Sequence, residues 1–336
     1  MASLQIPSRF GPGISTTQDS NIEVIAPDGD FILKAGRENT VEFKVSSTRL
    51  REVSTTLRQN LNTIIDQQPQ GSKVINFPQD NPDAMREILK MLHLRPSSGQ
   101  VKVWSADKIL EFASTLKRYD LVNHLRYQAH AILMDWLREY EFDERLLLTV
   151  CGDIVAAAYL LDHKKAFFLA TKQLMRSCVG DFAELADGRC GRDVPAKALI
   201  KLDHVRKDAH HEATYCLITF LNRQCLECRT DIKADNNGIW EHARKHFGTD
   251  TWPPPLTGEG AWSLQAIIDK TKTLGDYSYT TGCEEHQNME IVETTDFEWL
   301  ADEAEDIAQG LCLTCVQTFK IQVDGPAECT DPAHDD

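Results

Sequence analysis

The stretch Phe31-Ile-Leu-Lys-Ala-Gly-Arg-Glu-Asn-Thr-Val-Glu-Phe-Lys-Val45 decides the fold. It contains two short apolar strands, 31–35 and 41–45, on either side of the turn signal Gly36-Arg-Glu-Asn39. This spacing predicts a β-hairpin. A third strand is predicted at Val74-Ile-Asn-Phe77, where Pro78 ends it.

Helices are predicted after the hairpin and after the third strand. Ser46, Ser47 and Thr48 offer N-caps to one helix, and Asn81-Pro82 begins another. Two more helices follow at 109–116 and 121–136. The apolar stripes that predict the four helices consist of Leu50, Val53, Leu57 and Leu61; Met85, Ile88, Leu89 and Leu92; Ile109, Leu110, Ala113 and Leu116; and Leu121, Leu125, Ala129, Ile132, Leu133 and Trp136.

This order of strands and helices resembles the BTB/POZ domain, and especially its variant in filamentous fungi. The motifs that carry the resemblance are Asp28-Gly-Asp-Phe-Ile-Leu33, Phe43-Lys-Val-Ser-Ser-Thr-Arg-Leu50, Ile75-Asn-Phe-Pro-Gln-Asp-Asn-Pro82 and Leu116-Lys-Arg-Tyr-Asp-Leu121. The resemblance implies an α+β fold in which helices cap a small sheet. It also implies a noncatalytic protein–protein interaction function, with a cullin scaffold or a second BTB chain as partner.

The chain is predicted to have five segments, in which a mostly α-helical region and a zinc-binding C-terminal region follow the BTB/POZ-like domain. Residues 144–178 are predicted to be helical, 180–195 to form a surface loop, and 203–221 to form a helix. Further helices are predicted from Ser263 and up to Gly310. The segments are a disordered N-terminus at 1–20, the BTB/POZ-like domain at 21–140, a helical extension at 141–222, a Cys/His-rich helical region at 223–320, and a flexible acidic tail at 321–336.

Composition predicts an intracellular protein, either cytoplasmic or nuclear. No apolar run approaches the roughly 20 residues that cross a bilayer, and the first residues lack a secretory apolar core. The chain has ten cysteines among 336 residues, far below the density of a disulfide scaffold. We therefore expect these cysteines to be buried thiols or metal ligands.

The negative charge is concentrated at the C-terminal end. The net charge is −15, and residues 283–336 contain fifteen Asp or Glu and one Lys. Nucleic acid is repelled by such a segment, because phosphate binding requires clustered Lys and Arg. The segment is either a solvated acidic surface or a site for a basic partner.

Three pairs of candidate metal ligands share one spacing in the final third of the chain. They are Cys225 with Cys228, Cys283 with His286, and Cys312 with Cys315. Two ligands separated by two residues can bend a turn around one tetrahedral ion, and thiolates and imidazoles are the donors that zinc prefers. The sequence therefore predicts a structural zinc site.

The spacing leaves open which ligands share an ion. In one partition Cys283, His286, Cys312 and Cys315 form one site, and a second, less secure site combines Cys225 and Cys228 with His242 and His246 at zinc-finger spacing. In another partition, Cys225 and Cys228 join one later pair. A third reading leaves the cysteines reduced and free of metal.

The prediction for function is a noncatalytic interaction module, either a substrate adaptor for a cullin-type ubiquitin ligase or an oligomerisation scaffold. Because the candidate ligand spheres are full and no His-Glu-x-x-His helix occurs, the sequence does not predict a zinc enzyme. The alternative is a transcriptional regulator that binds DNA through the finger-like segment 225–246, whose charge comes from Arg229, Lys233, Arg244 and Lys245.

Overall fold

The structure is a computed structural model in which the protein is mixed α+β and mostly helical. It describes residues 22–67, 73–95, 103–141, 146–221, 241, 244–248, 253–274, 277–280, 289–292, 294–318, 320 and 329. The described residues pack as two compact units. The first holds the described residues up to Glu52 and from Leu57 to Arg95, and the second holds Val53–Thr56 and the described residues from 103 onward. The domain limits predicted from the sequence stay predictions.

The first unit contains a four-stranded sheet. Its strands are β1 (Ile22–Val24), β2 (Phe31–Ala35), β3 (Val41–Val45) and β4 (Val74–Phe77), in the order β1-β3-β2-β4. The antiparallel pairing of β2 with β3 confirms the predicted hairpin, and β4 joins β2 in parallel. Strand β1, which pairs in parallel with β3, was not predicted, because three residues are too short for a periodic signal.

The hairpin turn depends on Gly36. Its φ is +93°, and a Cβ built there would lie 2.8 Å from the carbonyl oxygen of Asn39. Only glycine adopts this backbone conformation without strain.

One face of the hairpin is buried because alternate side chains point to the same side of a sheet. The buried side chains are Phe31, Leu33, Ala35, Phe43 and Val45.

Three helices belong wholly or largely to this unit: α1 (Ser47–Val53), α2 (Thr55–Gln67) and α3 (Pro82–Leu92). The single helix predicted after the hairpin is thus interrupted at Ser54, whose hydroxyl donates to the carbonyl oxygen of Tyr119 at 2.5 Å. Helix α3 begins as predicted, since Asn81 Oδ1 accepts from the amides of Asp83 and Ala84 at 2.9 and 3.1 Å.

The edge strand β1 is tied to helix α3 by charge. Glu23 accepts from Arg86 Nε at 2.6 Å and lies 3.5 Å from Lys90 Nζ. The Arg86 guanidinium also lies 5.7 Å from the centre of the Phe43 ring. These contacts leave Ile22 and Val24 exposed, at 37% and 57% of their surface.

The second unit is helical apart from a hairpin of two strands, β5 (Tyr277–Thr280) and β6 (Met289–Val292). Helix α4 packs on α6, α6 on α7, and α10 on α12. The helices are α4 (Ala106–Arg118), α5 (Arg126–Glu139), α6 (Leu148–Leu160), α7 (Lys164–Ser177), α8 (Ala183–Asp187), α9 (Cys190–Asp193), α10 (Ala196–Leu221), α11 (Leu264–Lys272), α12 (Thr294–Ile307) and α13 (Leu313–Gln317). None of the described helices is long and apolar enough to cross a bilayer.

The surface loop predicted at 180–195 is wrong. The segment forms α8 and α9, because Gly152 of α6 lets both helices approach closely. A Cβ at Gly152 would lie 2.6 Å from Leu185 Cδ2 and 3.4 Å from Cys190 Cβ. Leu185 and Cys190 are accordingly buried, which Gly and Pro content alone does not predict.

Two further differences concern helix limits. The helix predicted at 203–221 begins at Ala196, directly after Pro195, so its first two turns were missed. The last long helix ends at Ile307, and Gly310 is not its stop signal. Strands β5 and β6 were also not predicted.

A buried arginine holds the chain between α7 and α8. Arg206 is 1% exposed and donates to the carbonyl oxygen of Gly180 at 2.9 Å and to Asp203 Oδ1 at 3.2 Å. Its guanidinium lies 3.9 Å from the centre of the Phe182 ring. Burial lowers the pKa of Arg206, and the nearby Asp203 carboxylate opposes that shift. The arginine thus connects α10 to the turn after α7.

We expect Arg206→Ala to lower the free energy of unfolding by roughly 2–4 kcal/mol, because buried carbonyl groups and Asp203 lose their donor. The matched control is Lys207→Ala, since Lys207 also pairs with Asp203 but its side chain is 63% exposed. That change should cost less than about 1 kcal/mol. Urea unfolding followed by circular dichroism measures both, and equal losses would refute a special role for Arg206.

Candidate metal centre

The segment Gly310-Leu-Cys-Leu-Thr-Cys315 is held against helix α7 by its backbone. A Cβ at Gly310 would lie 2.0 Å from the carbonyl oxygen of Phe168, so no residue with a side chain fits there. The Leu311 amide donates to Thr171 Oγ1 at 2.9 Å. Leu313 is buried as well. The position of the two cysteines is therefore fixed by the packing of the residues around them.

Helix α13 sets the spacing of the two cysteines. Cys312 is the residue before the helix, with extended backbone (φ −72°, ψ 120°), and Cys315 lies within it. The Val316 amide donates to the carbonyl oxygen of Cys312 at 3.1 Å. This turn brings both sulfur atoms to the same end of the helix, as the two-residue spacing predicts.

A third cysteine completes a cluster of sulfur atoms. Cys329 Sγ lies 3.4 Å from Cys315 Sγ, and the sulfur atoms of Cys312, Cys315 and Cys329 all lie within 4.8 Å of one another. All three cysteines are partly exposed. Three convergent thiols are able to hold a metal ion, because thiolates bind soft and borderline metals.

The environment of the cluster favours the protonated thiol of Cys315. Burial, followed by hydrogen bonds with Cys329 and Cys312, raises the pKa of Cys315 to about 12. Gathering negative thiolates at such short distances is unfavourable unless a cation lies between them. Metal binding and proton release are therefore coupled at this cluster.

Most of the predicted ligands lie outside the described residues. These are Cys225, Cys228, His242, Cys283 and His286. Among the residues that the structure does describe, no fourth Cys, His, Asp or Glu joins the three sulfur atoms. The predicted contributions of the other pairs stay predictions.

His246 is described, and it faces helix α11. Its Nε2 lies 3.0 Å from the carbonyl oxygen of Lys270 and 3.3 Å from Thr273 Oγ1. The Nε2 atom is thus occupied as a donor, which leaves Nδ1 as the nitrogen available to a metal. The DNA-binding alternative gains no support from the described part of segment 225–246.

Cys329 was missed in the sequence because it lies outside the two-residue spacing. It follows Cys315 by fourteen positions, within the segment 321–336 that was predicted to be a flexible tail. Cys329 is the one residue of that segment that the structure describes, and its sulfur atom belongs to the cluster, while the flexible tail stays a prediction. The available signal was a Cys-x2-Cys pair followed by a further cysteine at the distance typical of zinc-binding loops.

No model of a known protein family matches the chain, and no curated protein matches it. The resemblance to the BTB/POZ domain therefore depends on the order and spacing of the quoted motifs.

If Cys329 is a ligand, Cys329→Ser will weaken the thiolate-to-metal absorption that develops when metal-free protein is titrated with Cd²⁺. Binding should also weaken by about a hundredfold. A structural zinc site with four ligands binds with roughly 10–16 kcal/mol in total, so one ligand contributes roughly 3 kcal/mol. The control is Cys178→Ser, which removes a buried thiol outside the cluster. Absorption that is unchanged in Cys329→Ser would remove Cys329 from the ligand set.

Proposed function

We propose that this chain is a noncatalytic protein–protein interaction module of BTB/POZ type, with a structural zinc ion in its C-terminal region. The observation that carries the proposal is the edge of the four-stranded sheet. Strand β1 is an outer strand of that sheet, and its Ile22 and Val24 are exposed. An outer strand with exposed apolar side chains gives a partner both backbone hydrogen-bonding groups and a surface to bury.

The rigidity of this edge also supports the proposal. Glu23 is paired with Arg86 and Lys90, so α3 holds β1 while Ile22 and Val24 point away. A strand that is already ordered loses little conformational entropy when a partner binds. The partner in this proposal is a cullin scaffold, which makes the chain a substrate adaptor, or a second BTB chain, which makes it an oligomerisation scaffold.

The donor set supports zinc as the metal. Three sulfur atoms and no oxygen ligand among the described residues favour a borderline metal over magnesium or calcium. In a tetrahedral zinc site with bonds of about 2.3 Å, neighbouring sulfur atoms lie about 3.8 Å apart. The separation of 3.4 Å between Cys315 and Cys329 is close to that value. A sulfur-rich sphere is typical of structural zinc sites.

The interaction surface is tested by placing charge on the strand. In the full chain, the double change Ile22→Asp and Val24→Asp should reduce capture of the cellular partner by about tenfold or more, since each exposed apolar anchor contributes on the order of 1 kcal/mol. The matched control is Leu147→Asp, which charges an exposed apolar residue of the second unit. Quantitative pull-down measures the loss, and sedimentation distinguishes self-association from capture of another protein. Equal capture by all three proteins would contradict the proposed surface.

The metal is tested by elemental analysis of protein purified without chelators. We expect about one zinc per chain, and we expect chelation to lower the temperature of unfolding of the C-terminal region. The control is readdition of Zn²⁺, which should restore the original unfolding temperature. A zinc content below about half an equivalent would count against a tight structural site.

A further inference from the structure

Two histidines join helices α5 and α7 near their first turns. Nδ1 of His130, on α5, is hydrogen bonded to Nε2 of His163, the residue before α7. The ring centres are 4.6 Å apart, and the ring planes differ by 18°. At the other end of the same helices, the Gln173 side-chain amide donates to the carbonyl oxygen of Tyr140. The two helices therefore run side by side in the same direction and are connected at both ends.

The hydrogen bonds of His163 determine where the protons of the pair lie. Its Nδ1 accepts from the Ala166 amide at 3.2 Å and so caps the start of α7. A ring nitrogen that accepts a hydrogen bond carries no proton, so in a neutral ring the proton lies on Nε2. His163 Nε2 then donates to His130 Nδ1, which must also be unprotonated. Both hydrogen bonds are satisfied only when both rings are neutral.

An added proton breaks one of the two bonds. If Nδ1 of His130 gains it, two N–H groups face each other across the pair. If the bond within the pair reverses, His130 Nδ1 donates and His163 Nε2 accepts. The proton of His163 then lies on Nδ1, which can no longer accept from the Ala166 amide. Each arrangement loses about one hydrogen bond.

The surrounding charges also oppose protonation. Burial, followed by the charge of a protonated His130, lowers the pKa of His163, and the cations Arg126 on α5 and Lys165 on α7 act in the same direction. Asp162, the neighbouring carboxylate, accepts from Gln317 of α13 at 2.8 Å. A positive charge at the start of α7 is also unfavourable because of the helix dipole.

The direction of the pH effect follows from these facts. The pKa of His163 is lower in the folded protein than in the unfolded chain. The contribution of the pair to stability is therefore complete above the ordinary histidine pKa of about 6.5. It is lost as the pH falls from there through the lower pKa of the folded protein.

We propose that the His130–His163 pair is an acid-sensitive joint, which holds the start of α7 against α5 when both rings are neutral and releases it when the pair gains a proton.

Hydrogen–deuterium exchange of the full chain at about pH 7.5 and about pH 5.5, corrected for intrinsic exchange rates, tests the joint. In the wild type, the first turn of α7 should lose protection by about two- to tenfold at the lower pH, the size expected for one hydrogen bond. His163→Asn keeps a capping acceptor but does not titrate, so its protection should not depend on pH. His130→Gln removes the titratable contact with α5 but leaves the His163 cap able to gain a proton, so its acid response should be smaller than that of the wild type.

The matched control is His204→Gln, which removes an exposed histidine from α10 and should keep the wild-type response. Equal protection of the wild type at both pH values would overturn the joint. An acid response in His130→Gln as large as that of the wild type would also overturn it. This variant should fold even if His163→Asn does not, because His130 is exposed. This test needs neither zinc nor a partner.

Discussion

The close approach of Gly310 to the backbone of Phe168 is the constraint on which the thiol cluster depends. Because Gly310 has no side chain, the segment before α13 lies directly on α7. The next backbone amide, that of Leu311, donates to Thr171 Oγ1. Cys312 and Cys315 then follow at fixed positions. The site thus depends on the burial of residues that never contact a metal, and its geometry is determined mainly by the packing of α7 and α13.

The fold was predictable from the sequence wherever the local pattern and the tertiary packing agree. The hairpin of β2 and β3 and the start of α3 are examples, because apolar strands around a glycine turn and an Asn-Pro cap are strong local signals. The prediction failed where distant residues decide the structure. Ser54 interrupts a helix through a hydrogen bond to Tyr119, and α8 and α9 form because Gly152 gives them room.

The candidate site was predictable in part for the same reason. Cys312 and Cys315 share a local turn, so their spacing alone predicts that their sulfur atoms converge. Cys329 lies fourteen positions beyond Cys315, and its approach to the cluster depends on tertiary structure that the two-residue spacing does not encode. The histidine joint has no local signal either, since His130 and His163 are 33 positions apart and belong to different helices. The buried Arg206 behaves similarly, because it bonds to Gly180, 26 positions away, as well as to Asp203 on its own helix.

The distance along the chain between Cys315 and Cys329 has a thermodynamic consequence. An ion shared by these residues would act as a cross-link that closes a loop of thirteen intervening residues. By analogy with a disulfide of that length, such closure removes unfolded-state entropy worth about 3 kcal/mol. Much of the ion's effect on stability would then arise in the denatured ensemble, by restricting it, and would add to any gain from contacts in the folded protein.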